Sequence, residues 1–135
     1  MSMTQKSQSF KADRPEIAIK IGNKEVLFGE ITGPAQESSF GKNQWDLFRL
    51  VRFGKAFLDS GNKFAPLLRI IYTNGTFMRL QEKARRMYLL VEVGHFAIPT
   101  NLMEVGALQI SLPTLIAVKG DIDRLLNSEE IMEIR

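Results

Sequence analysis

The chain has 135 residues, of which 44% are hydrophobic and 24% charged, with a net charge of +3. This is the composition of an ordinary globular protein, so a collagen-like or fully disordered chain is excluded, and the length suits one hydrophobic core rather than two domains. The absence of cysteine excludes disulfides, thiolate-bound metals and thiol catalysis, and a single histidine removes most zinc sites.

The first residues are polar and offer few apolar side chains to bury. We therefore predict a flexible N-terminal arm over residues 1–14 and a single globular domain over residues 15–135. The N-terminus lacks the apolar segment of a secretory signal, and no uninterrupted run approaches the ~20 apolar residues that cross a bilayer. We expect a cytoplasmic protein without a membrane partner.

The next segment predicts a β-hairpin followed by a loop. Apolar side chains alternate along Glu16–Ile21 and again along Lys24–Ile31, and Gly22-Asn23 between them is a two-residue turn signal. Residues 32–42 then contain glycine, proline and serine, which indicates a loop of about ten residues.

An amphipathic helix is predicted to begin at Asn43 and to end near Gly61. On a helical wheel the apolar side chains gather on one side and the basic ones on the other, whereas a strand would mix them on both faces. The apolar side carries Leu47, Leu50, Val51, Gly54, Phe57 and Leu58.

The following segment is ambiguous. Phe64–Thr73 fits either a short helix that begins at Pro66 or a strand that turns at Asn74-Gly75 into a second strand. Apolar residues from Phe77 onward recur at i, i+3, i+7, i+10, i+11 and i+14, which favours a helix over residues 77–89.

The remainder predicts short elements. Leu89–Ile98 suggests a second hairpin that turns at Gly94-His95, two short apolar runs follow, and Gly120-Asp121 begins a further helix. The fold class is therefore α+β: a single domain with an antiparallel sheet and two or three helices, from residues 43–89, packed on one face.

Charge is unevenly distributed along the chain. Residues 42–89 carry ten basic and three acidic side chains, a net charge of +7, and hold eight of the twelve aromatic residues. Residues 90–135 carry three basic and seven acidic side chains, a net charge of −4. The middle of the chain therefore suits an anionic partner.

On the predicted helices the basic side chains form two ridges, which make one positive surface if the helices pack side by side. The first ridge consists of Arg49, Arg52 and Lys55, and the second of Arg79, Lys83 and Arg86. Cations beside exposed aromatic rings suit phosphate contacts together with base stacking. The candidate nucleic-acid-binding residues are Arg49, Arg52, Lys55, Arg79, Lys83, Arg85, Arg86, Trp45 and Phe48. The sequence thus predicts a small basic nucleic-acid-binding protein, with a DNA-binding phage or plasmid protein as one such type.

Two other interpretations stay open. Basic side chains commonly solvate a helix face, and aromatic residues at helical spacing are usually part of a core. Alternatively, the opposite charges of residues 42–89 and 90–135 predict a non-enzymatic interaction or assembly subunit that forms homo-oligomers through complementary basic and acidic surfaces.

No motif indicates catalysis. The chain lacks the glycine-rich phosphate loops, H-E-x-x-H and G-x-S-x-G, and His95 falls at a predicted turn without a nucleophile beside it. Asp121 and Asp123 fit the first turn of a helix better than a magnesium site. The sequence therefore predicts no enzyme, no catalytic residue, no metal, no cofactor and no small-molecule substrate.

Overall fold

A five-stranded mixed sheet with one helix on each face forms the part of the chain that the structure describes, residues 14–33 and 40–134 of a computed structural model. The strands are β1 (Ile17–Ile21), β2 (Lys24–Thr32), β3 (Phe64–Ile71), β4 (Asn74–Ala84) and β5 (Met87–Ala97). The helices are α1 (Phe40–Asp59) and α2 (Leu108–Ile134), the latter preceded by a 3-10 turn (Leu102–Ala107). The α+β class is confirmed, and the two helices agree with the predicted number.

The strands lie in the sheet in their order along the chain. The β1–β2, β3–β4 and β4–β5 pairs are antiparallel, whereas β2 and β3 are parallel, with Phe28 opposite Leu67. The parallel pair, absent from the predicted antiparallel sheet, arises because α1 returns the chain to the end at which β2 began. Residues 1–13 of the predicted arm and most of the predicted loop lie outside the described residues.

Helix α1 covers the first face of the sheet and forms the larger core. Leu50 of α1 packs with Leu67 and Leu80, and all three are at most 2% exposed. Gly54 lets the helix approach closely, since a Cβ there would lie 3.0 Å from Leu80 Cδ2. The predicted helix after Asn43 is thus confirmed, and it begins three residues earlier.

The predicted helix over residues 77–89 is wrong, because these residues belong to the β4–β5 hairpin. Strand β4 is covered on both faces, so Phe77 is buried on one face and Leu80 on the other, and their i, i+3 spacing resembles that of a helix. The chain turns at residues 85–86, where Arg86 adopts φ 63°. The ambiguous segment Phe64–Thr73 is mostly strand: its residues up to Ile71 form β3, which pairs antiparallel with β4.

The predicted hairpin over Leu89–Ile98 is also wrong, because these residues form one strand and one following residue. Gly94 lies inside β5, where a side chain would collide with Thr114 of α2. The glycine therefore marks a close approach between a helix and a strand rather than a turn.

Helix α2 joins the two short apolar runs and the predicted last helix into one helix of 27 residues that contains Pro113. Its second half packs on the other face of the sheet, where Val118 contacts the cluster of Leu27, Leu68 and Phe77. The predicted packing of the helices on one face is therefore wrong: helices lie on both faces of the sheet, and only α1 overlaps residues 43–89.

The helical segment Leu102–Asn127 is long enough and apolar enough, by length and composition alone, to cross a membrane. The sequence concealed this length because Pro113 and Thr114 divide the apolar runs. Asp121 lies in the same segment, is 2% exposed and pairs with Arg79 of the sheet. The second half of the segment is therefore integrated into the fold.

Candidate nucleic-acid interface

The outward face of α1 carries two aromatic and two basic side chains in one row. Trp45, Phe48, Arg52 and Lys55 follow at i, i+3, i+7 and i+10, which places them on one side of the helix. They lie opposite the buried side that holds Leu50. The row therefore faces solvent because the helix directs its apolar side into the core.

The two aromatic side chains of this row stack on each other outside the core. Trp45 and Phe48 are each 55% exposed, and their ring centroids lie 5.8 Å apart with an angle of 29° between the rings. A shallow depression of about 430 Å³, lined also by Gly41 and Gln44, adjoins the pair. The rings thus offer an accessible flat surface rather than a contribution to the core.

The two basic side chains of the row are available to a ligand. Neither Arg52 nor Lys55 forms an ion pair with any residue that the structure describes. Lys55 Nζ lies 5.9 Å from the centroid of the Tyr88 ring, a cation–π contact that joins α1 to β5. This contact connects the row on α1 to the β4–β5 hairpin.

Three further exposed cations lie at this end of the hairpin: Lys83 in the last residues of β4, and Arg85 and Arg86 in the turn. Arg86 is two residues from Tyr88, so the turn lies at the end of the sheet that Lys55 reaches. We call these three residues, together with Trp45, Phe48, Arg52 and Lys55, the basic-aromatic surface.

Arg49 does not belong to this surface. Its side chain is only 17% exposed, and its Nη2 donates to the carbonyl oxygen of Arg14 at 3.1 Å and lies 3.7 Å from the Glu30 carboxylate. Its guanidinium also lies over the Phe53 ring. The predicted candidate Arg49 therefore sits between α1 and the β1–β2 hairpin.

Arg79 also lies elsewhere, on the sheet face that α2 covers. Its Nε and Nη2 donate to the two carboxylate oxygens of Asp121 at 2.9 and 2.8 Å, and Arg124 contacts the same carboxylate. The predicted ridge of Arg79, Lys83 and Arg86 does not form, because these residues lie on a strand and a turn rather than on a helix.

Sequence reasoning missed a buried polar group beneath α1. Asp46, 1% exposed, accepts hydrogen bonds from Lys42 Nζ at 2.7 Å and from Thr32 Oγ1 at 2.9 Å, and Glu30 beside it is also 1% exposed. The sequence did contain a signal for this buried group. Glu30 follows Val26 and Phe28 at intervals of two residues, so all three side chains point to the same face of β2, and that face is buried.

The environment of Glu30 changes its acidity. Burial above all, and next the neighbouring Glu16 carboxyl, raises the pKa of Glu30 to about 8, against the opposing effect of Arg49. The side chain is therefore mostly neutral at neutral pH. A carboxyl with a raised pKa is one mark of a catalytic site, but Glu30 lies under a helix that a core holds in place.

Among the described residues, no group of three or more histidine, aspartate and glutamate side chains is arranged to hold a metal ion. No protein-family model, no curated protein and no solved structure matches the chain.

Proposed function

We propose that the protein binds nucleic acid through the basic-aromatic surface and that unpaired bases stack on Trp45 and Phe48. The observation that supports this is the exposed, stacked aromatic pair in line with Arg52 and Lys55, two cations without a carboxylate partner among the described residues. Every base has a flat π-face, so aromatic rings bind single strands with little dependence on sequence.

The dimensions of the row suit a short stretch of one strand. Ten residues separate Trp45 from Lys55, which corresponds to about 15 Å along a helix. At the ~3.4 Å spacing of bases in a strand, this length accommodates roughly four nucleotides. Lys83, Arg85 and Arg86 add exposed cations near Tyr88, the residue of β5 that Lys55 contacts.

The surface presents cations and rings, which contact phosphates and base faces, rather than side chains arrayed to read base edges. Binding of this kind depends on charge neutralisation and carries little sequence information. The affinity should therefore fall steeply with salt, by up to one power of the salt concentration for each phosphate contact.

Trp45, the only tryptophan of the chain, makes the test direct. Titration with an oligo(dT) strand should quench its fluorescence and raise the anisotropy of a labelled strand, whereas a duplex of the same length should bind more weakly. The variant Arg52→Ala/Lys55→Ala should lower the affinity about 10-fold or more. Lys20→Ala, which removes an exposed cation from β1, is the matched control.

Absence of binding to single-stranded DNA, to RNA and to duplex DNA at low salt would contradict the proposal. Lys20→Ala removes one charge and Arg52→Ala/Lys55→Ala removes two. A loss of binding free energy in Lys20→Ala that is half the loss in the double variant would therefore contradict the assignment of the surface, because net charge alone would then explain the binding.

Assembly through complementary basic and acidic surfaces stays a prediction. In the described part of the acidic segment, Asp121 pairs with Arg79 and Asp123 pairs with Lys119 at 2.8 Å. Both carboxylates are therefore engaged within the chain, and no specific contact favours this alternative.

A further inference from the structure

The 3-10 turn and the first half of α2 expose a continuous apolar surface. Eight large apolar side chains between residues 102 and 116 are 39% to 93% exposed. They are Leu102, Met103, Val105, Leu108, Ile110, Leu112, Leu115 and Ile116. We call residues 102–116 the α2 overhang.

The overhang is mainly apolar around its circumference, with Glu104 and Gln109 as its exposed polar side chains, although only one side contacts the sheet. Ser111 on the inner side is 3% exposed, whereas Leu112 and Ile116 on the outer side are 50% and 67% exposed. A helix that is apolar all round is normally covered on all sides, and an exposed apolar patch of this kind is commonly an interaction site.

The area suits a protein interface. Added together, the exposed fractions of the eight side chains correspond to about five fully exposed side chains. At roughly 100 Å² of apolar surface for each, one copy offers ~500 Å² and two copies together ~1,000 Å². That total, which counts every side of the overhang and is therefore the largest area that the contact could bury, is about the minimum for a specific protein interface.

The charge around the overhang argues against a lipid surface or a nucleic acid. From Leu89 to Val118 the chain contains no lysine, arginine, tryptophan or tyrosine. Helices that lie on membranes carry basic residues beside the apolar ones, and nucleic acids need cations. A neutral apolar protein surface therefore fits better, and the overhang of a second copy has that chemistry.

Two exposed charges select an orientation for the second copy. Glu104 and Lys119 lie 15 residues apart, and the midpoint between them falls between Ser111 and Leu112. Hydrogen bonds from the backbone and side chain of Thr100 lower the pKa of Glu104, so it is ionised at neutral pH. Lys119 is 77% exposed, and although its Nζ lies 2.8 Å from the Asp123 carboxylate, it can still contact a carboxylate of a second copy.

We propose that two copies of the chain associate through their α2 overhangs in antiparallel orientation, about a two-fold axis near Leu112. This arrangement places Glu104 of each copy opposite Lys119 of the other, whereas parallel helices would place like charges together. The partner covers the outer side of α2, so the basic-aromatic surface on the opposite face of the sheet stays open.

Sedimentation of the full chain at ~100 μM and below tests the dimer. The wild type should be a dimer whose dissociation constant changes little between low and high salt, because its contact is mainly apolar. Ile116→Glu should weaken the dimer about 100-fold. Ile21→Glu, the same change at an exposed isoleucine of β1, should leave the dimer intact.

A charge exchange tests the orientation. Glu104→Lys and Lys119→Glu should each weaken the dimer about 10-fold, and the double variant should restore most of the loss. A monomer at ~100 μM, loss of the dimer in high salt, or no recovery in the double variant would overturn the proposal. So would binding of a monomeric protein to phosphatidylcholine vesicles, which would assign the overhang to lipid.

Discussion

Helices α1 and α2 each cover one face of the same sheet, yet their outer sides differ completely. The outer side of α1 carries Arg52 and Lys55 beside a stacked aromatic pair, whereas the outer side of the α2 overhang is apolar and lacks cations. Packing against the sheet determines only the inner side of each helix. The outer sides are free to serve a partner, and their chemistry indicates two different partners.

The largest expected effect on the free energy of unfolding distinguishes the buried inner side of α1 from the exposed outer side of α2. Leu50→Ala on the inner side of α1 should lower the free energy of unfolding by about 3 kcal/mol, because Leu50 is fully buried. Leu112→Ala on the outer side of α2 should change it by less than about 0.5 kcal/mol in the monomer. Urea unfolding at low protein concentration measures both, and equal losses would show that the overhang is packed within one copy.

The attachment of α2 to the sheet is tested by its buried ion pair. Asp121→Ala should lower the free energy of unfolding by about 2 kcal/mol, because Arg79 then loses both hydrogen bonds to a carboxylate that is almost fully buried. Arg79→Leu combined with Asp121→Leu should recover part of this loss. Additive losses in the double variant would show that the two groups do not act as a pair.

The buried Glu30 side chain beneath α1 should make the free energy of unfolding depend on pH. Since the pKa of Glu30 is raised to about 8 in the folded chain, the folded state binds the proton more tightly than the unfolded state. The stability that this group contributes is complete below about pH 4.5 and is lost as the pH rises towards about 8.

Glu30→Gln should therefore be more stable than the wild type at pH 9, by about 2 kcal/mol, and less different from it near pH 5. Thermal unfolding across this pH range measures the difference. Glu25→Gln, at an exposed position of the same strand, leaves Glu30 in place and should keep the pH dependence of the wild type. An identical pH dependence in wild type and Glu30→Gln would contradict the raised pKa.

The smallest expected effect on stability belongs to the outer side of α1. Lys55→Ala should change the free energy of unfolding by less than about 0.5 kcal/mol, because the side chain is exposed and, within the described part of the chain, makes only a cation–π contact with Tyr88. It should lower the salt dependence of oligo(dT) binding by about one phosphate contact. An unchanged salt dependence would remove Lys55 from the surface.

The sequence predicted α1 because it has one buried side with a helical period, and it predicted the β1–β2 hairpin because Gly22-Asn23 is a turn signal between two apolar segments. It failed at β4, where α1 and α2 cover both faces and the apolar residues Phe77, Met78 and Leu80 lose their alternation. Of the nine candidate site residues, those on α1 that point outward could be placed from the helical wheel. The positions of Arg49 and Arg79 depend on Glu30 and Asp121, which are distant in sequence, and no local pattern reports such pairs.

The parallel pairing of β2 with β3 also has a consequence for how the chain folds. Strands β3, β4 and β5 are joined by tight turns and have only local loops to close, whereas β2 must find β3 across the whole of α1. Closing a longer loop costs more entropy before any contact compensates for it. We therefore expect the three-stranded meander to form early and the β1–β2 hairpin to join it late, in the step that also docks α1.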